Sequence, residues 1–128
     1  MKRLLLVLLF VAPLIVLPAA NSQERTVTEV KAIAKPKQYH GPCPTTIEFV
    51  ATIFVSHHPA RVDYQWERSD GAKGPRQTIT NRSAGEGVST TWEISRRIHG
   101  EFDGWEKLHV LAPTGISSNE AQFQIKCD

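Results

Sequence analysis

Apolar and polar residues alternate along most of this chain, and the sharpest case is residues 61–71. Val62, Tyr64 and Trp66 point one way in an extended chain, while Asp63, Gln65 and Glu67 point the other. Period-two alternation with the largest side chains on one side, halted at Asp70-Gly71, predicts a half-buried strand and then a turn. We take it as the central strand, with Tyr64 and Trp66 in the core. Residues 45–56 form a longer strand, with Ile47, Phe49, Ala51, Ile53 and Val55 on one fully apolar face. Val50 and Phe54 make its other face mixed. His57-His58-Pro59-Ala60 then turns the chain into the central strand.

The remaining segments follow the same rule. Residues 27–34 carry apolar side chains at 27, 30, 32 and 34, a first strand whose phase slip suggests a bulge. Pro36, Pro42 and Pro44 frame a connection and exclude both a helix and a central strand there. Residues 70–75 read as a loop, 76–81 as a short strand anchored by Ile79, and 82–87 as a turn. In 88–95, Val88, Thr90, Trp92 and Ile94 face inward, which places Trp92 in the core. Residues 96–103 read as a polar crossing loop and 104–113 as a strand with Leu108, Val110 and Ala112 in step. The last strand, 119–127, sets Ala121, Phe123, Ile125 and Cys127 on one face. About seven strands at spacings of roughly 8 to 14 residues predict an all-β antiparallel sandwich, with no sustained helical period and no internal repeat.

The chain opens Met1-Lys2-Arg3, runs apolar from Leu4 to Leu17, and then carries small residues. That is the plan of a secretory signal peptide. The run of roughly 14 residues falls short of the about 20 that a membrane helix needs, and Pro13 and Pro18 interrupt it. Cleavage after Ser22, with Ala19 and Ala20 as alternatives, would leave residues 23–128 as one domain. It would also cancel the formal charge of +2, because Lys2 and Arg3 leave and no acid does. A neutral product has no whole-molecule attraction for nucleic acid or an anionic membrane, so neither is expected as a partner. No stable membrane span is expected once the leader is gone, and the protein should be secreted, extracellular or periplasmic.

Cys43 and Cys127 are the two cysteines of a chain bound for an oxidising compartment, where a single disulfide is the default. Strand parity agrees. If residues 45–56 run up, the five following strands alternate down and up, and Cys43 and Cys127 meet at the same end of the sandwich.

Tyr64-Gln65-Trp66 running into Asp70-Gly71, followed later by Gly104-Trp105, resembles immunoglobulin-like sandwiches and, more closely, their PKD-like relatives. The likeness covers about half of the chain beyond the leader. It implies an immunoglobulin-like architecture and an extracellular binding or spacer role, and it transfers no ligand and no site residue. Antibody-type domains bridge two mid-strand cysteines across the core, whereas here the pair lies at one end.

Candidate chemistry is sparse. His57 and His58 share a turn, and His99, Glu101 and Asp103 fall in a loop at the opposite end, so the two groups do not meet to hold a metal. No nucleophile motif, zinc-protease motif or phosphate-cradling glycine loop occurs, and oxidised cysteines offer no thiolate. We therefore expect no cofactor and a non-enzymatic protein, a small hydrolase or inhibitor being the least favoured reading. Asn81-Arg82-Ser83 fits a glycosylation sequon. Trp105 is the most informative aromatic. Counted back from Val110 and Leu108 it falls on the outer face, unless a bulge at Glu106-Lys107 returns it to the core, and we expect that bulge. The candidate binding residues are Trp105, if exposed, with His57 and His58 on the turn. The expected function is binding of an extracellular protein or glycan; the alternative is a structural subunit that pairs through Val50 and Phe54.

Overall fold

In a computed structural model that describes residues 13–17 and 25–128, the chain is an all-β sandwich of two sheets. The smaller sheet has the order β1-β3-β6, built from β1 (Val27–Lys35), β3 (Thr45–Val55) and β6 (Gly85–Ile94). The larger has the order β2-β9-β7-β4-β5. Its strands are β2 (Gln38–Gly41), β9 (Ala121–Cys127), β7 (Gly100–Ala112), β4 (Ala60–Arg68) and β5 (Gln77–Asn81). A two-residue strand, β8 (Ile116–Ser117), pairs with β7 beyond the stretch that pairs with β9. No helix among the described residues is long and apolar enough to cross a membrane. Most of the expected leader, 1–22, lies outside the described residues; 13–17 form neither helix nor strand and are exposed.

All seven expected strands form, and two short ones join them. β2 arises within the proline-framed connection, at a sheet edge, where a proline-flanked strand is tolerated. It pairs in parallel with β9, setting Gly41 opposite Cys127. That pairing carries Cys43 to Cys127, and the two form a disulfide with their Cα atoms 5.5 Å apart. The first strand does bulge, at Thr28, between the Val27↔Val55 and Glu29↔Phe54 pairs. β7 begins earlier than expected. Gly100 to Asp103 belong to the strand rather than to a crossing loop, because Phe102 packs on the core while Glu101 and Asp103 alternate outward.

The core lies between the sheets, and Tyr64, Trp66 and Trp92 are buried in it. Phe123 is its hub, with its ring 5.3 Å from Trp92 and 5.8 Å from Phe49, both edge to face. Gly104 faces inward beneath that ring, and a Cβ there would sit 2.8 Å from Phe123 Cζ. Here glycine is required by close approach.

Two asparagine amides stitch the sheets together. Asn119, between β8 and β9, accepts from the Ala32 N–H and donates to the Ala32 C=O, each at 2.9 Å. Asn81 ends β5 fully buried and donates from Nδ2 to the Ile53 C=O at 2.9 Å. The sequon at Asn81 therefore carries its asparagine inside the protein.

Candidate functional site

The expected bulge at Glu106-Lys107 is absent. β7 pairs with β9 and then with β4 in unbroken register from Gly100 to Val110, and the extra residue comes later, at Leu111. Trp105 therefore stays on the outer face of the larger sheet, half-exposed. Its backbone is pinned by Ser69, whose N–H donates to the Trp105 C=O and whose hydroxyl accepts from the Trp105 N–H. Lys107 Nζ lies 5.2 Å from the centroid of the indole, a cation–π distance.

Trp105 borders a cleft of about 480 Å³ on this outer face. Cross-strand register builds its floor: Trp105 lies opposite Gln122, and Asp103 opposite Gln124, which in turn faces Gln38 on β2. Lys37 and Ser69 close the sides. A second trough of about 420 Å³ continues from it, sharing Gln38, Asp103 and Gln124, and reaches His40, Glu101 and Lys126. The result is one aromatic edge beside a row of three amides and a carboxylate. Those amides can each donate and accept, and the carboxylate can accept from two hydroxyls at once.

A separate polar chain occupies the same face on the other side of Lys107. Glu67 sits 3.5 Å from His109 Nε2, 3.8 Å from Lys107 Nζ and 3.9 Å from Lys73 Nζ. His109 Nδ1 shares a 2.6 Å hydrogen bond with the Ser117 hydroxyl. Serine, histidine and glutamate in line have the composition of a nucleophilic relay. Here Glu67 is divided among two lysines and the imidazole, and the Nε2 that faces it is buried without a hydrogen bond. The arrangement is an ion-pair hub at the β4–β7 seam. Alternation places Glu67, Lys107 and His109 on the outer face; only the inter-strand register shows that they touch, and Lys73 and Ser117 come from the loop after β4 and from β8.

The inner face holds a less expected feature. Because no bulge intervenes, Glu106 points into the core and is buried. Burial pushes its carboxyl up to about 7, and Arg68 opposes that shift. Arg68 lies opposite Glu106 on β4, stacks 4.0 Å over the Trp92 ring, and pairs with Asp70. That pairing holds the Asp70 carboxyl below its ordinary range. Glu106 Oε2 and the neighbouring strand's Trp66 Nε1 are both buried without a hydrogen-bond partner.

His57 and His58 lie exposed on the β3–β4 turn, where His57 Nδ1 meets the Ser56 hydroxyl at 3.1 Å. They are not brought to Trp105, which lies mid-strand on the larger sheet. His99 immediately precedes β7, and Glu101 and Asp103 lie in that strand and alternate outward. Among the described residues no three His, Cys, Asp or Glu side chains gather as a metal site. No family model, curated protein or solved structure matches the chain.

Proposed function

We propose that this protein is a non-catalytic, secreted, immunoglobulin-like module that binds a glycan on the outer face of its larger sheet. The observation that carries the reading is Trp105, half-exposed at the border of a cleft floored by Gln38, Gln122, Gln124 and Asp103. Sugars offer apolar C–H faces that stack on an aromatic ring and paired hydroxyls that match amides and carboxylates. The volume falls within the roughly 300–1,000 Å³ of small-ligand sites. The leader-like opening and the disulfide fit export to an oxidising compartment. The Tyr64-Gln65-Trp66 strand supports the immunoglobulin-like assignment.

Quenching of tryptophan fluorescence by a glycan panel tests the reading. At least one oligosaccharide should shift the emission, and Trp105→Ala should weaken its binding about tenfold or more, as loss of a central aromatic anchor does. A panel that leaves emission unchanged, or a hit that Trp105→Ala does not affect, removes the reading.

A second reading, a structural subunit that pairs through a sheet face, draws on the smaller sheet. Ile33 is 44% exposed and lies opposite Val50, on the same outer face as Phe54. Gel filtration of Val50→Lys against the parent separates the two: face pairing requires the parent to elute as the larger species.

A further inference from the structure

The pairing of β7 with β9 runs from Gly100 to Glu106, and alternation turns every second residue of each strand to solvent. It therefore holds three outward rungs. Trp105 lies opposite Gln122 on the first. Asp103 lies opposite Gln124 on the second, and Gln124 pairs onward with Gln38 of β2. Glu101 lies opposite Lys126 on the third, and Lys126 pairs onward with His40. The cleft beside Trp105 and the trough that continues from it share the middle rung, so their common axis runs along the strands. Glu101 and Trp105 are four strand residues apart, a span of about 13 Å, which is the reach of about three pyranose units laid end to end.

The charges that line this trough cancel. Lys37 and Lys126 are matched by Asp103 and Glu101, and His40 Nε2 already faces Asp128 at 3.1 Å. A polyanion would meet both carboxylates and a polycation both ammonium groups, so a chain of uncharged hydroxyls is the better match. An extended peptide fits less well. β9 lies between β7 and β2, so the floor offers no free backbone edge on which a peptide could add a strand.

Granting that the face at Trp105 binds a glycan, we propose that the ligand is a neutral, linear oligosaccharide lying along β7 and β9 and read over three units. The indole stacks on one ring. The rung of Asp103, Gln124 and Gln38 holds the hydroxyls of the next, and Glu101 with Lys126 holds those of the third. Beyond these the floor ends. β7 begins at Gly100 and β9 begins at Ala121, so neither end offers a fourth rung, and further units project into solvent.

Isothermal titration calorimetry of the protein tests the assignment. The probes are linear oligomers of glucose, mannose, xylose and N-acetylglucosamine, each of one to six units. Oligogalacturonate and oligoglucosamine are the anionic and cationic arms. At least one neutral series binds, and its affinity rises about tenfold or more from one unit to three, as two added hydrogen-bonded rungs give. From three units to six it stays level. Glu101→Ala combined with Lys126→Ala keeps the charge balance on an exposed rung. It lowers trisaccharide affinity to that of the disaccharide and leaves the single unit unaffected, whereas Trp105→Ala weakens every length. A sugar that binds through Trp105 equally well at one unit and at three, or a charged oligomer preferred over every neutral one, overturns the inference while the glycan reading stands. Failure of every oligomer to bind removes both.

Discussion

Glu106→Gln should abolish a pH dependence of stability that the parent protein shows near neutrality. The Glu106 carboxyl is raised from 4.5 to about 7 by burial, with Arg68 supplying only partial compensation. One pKa unit corresponds to about 1.36 kcal/mol, so ionising Glu106 costs the folded state about 3 kcal/mol at most. The sign follows from proton uptake. The folded protein holds this proton more tightly than the unfolded chain, so the stabilisation is fully present below about pH 4.5. It is lost as pH rises through about 7 and is constant above that. Urea unfolding followed by tryptophan fluorescence reads the effect. Between about pH 5 and pH 8.5 the parent should lose about 2.5 kcal/mol. The glutamine variant, which keeps the shape without the charge, should show no such fall and should exceed the parent by about 3 kcal/mol at the alkaline end. Asp63 and Asp70 do not confuse the window. Hydrogen bonds from Thr78 and Arg68, respectively, lower their pKa values, so their contributions are lost only in acid, below their ordinary 3.8. A parent whose stability is flat across the window, or a glutamine variant that keeps the fall, would refute the placement of Glu106 in the core.

Three further outcomes test the packing. Gly104→Ala should destabilise the protein by about 1–3 kcal/mol in urea unfolding, because the new methyl would overlap the Phe123 ring. Asn119→Ala should cost about 1–3 kcal/mol, since it removes both hydrogen bonds to Ala32; hydrogen exchange at the Ala32 amide should quicken with it. Reducing Cys43–Cys127, which closes a loop of 84 residues, should cost up to about 4.5 kcal/mol in the chain-entropy treatment. An unchanged urea midpoint after reduction would contradict that.

Alternation located every long strand because one face of each is buried between the sheets, and burial writes itself as a period of two. It also sufficed for Tyr64, Trp66 and Trp92. β2 and β8 were hidden for a physical reason: four and two residues hold too little pattern, and both exist because β9 and β7 offer them a partner distant in sequence. The start of β7 was masked by Glu101 and Asp103, whose charges read as loop although they alternate with Phe102. Glu106 is the instructive case. It is in step with Leu108 and Val110, so the pattern itself places it inward. A carboxylate is expected to avoid the core, which favours a bulge; the fold instead keeps the strand regular and raises the pKa. That choice leaves Trp105 on the surface. Its neighbours Gln122, Gln124 and Gln38 come from β9 and β2, so the cleft depends on inter-strand register, which one sequence read alone does not reveal.

The central claim is that the outer face at Trp105 is the binding surface. The three tryptophans give three indole N–H signals in a proton–nitrogen correlation spectrum, and only one belongs to a half-exposed ring. Titration with a glycan that binds should move the Trp105 indole signal and the side-chain amides of Gln122 and Gln124, while those of the buried Trp66 and Trp92 hold still. Binding that moves signals at the His57-His58 turn and leaves Trp105 in place would contradict it.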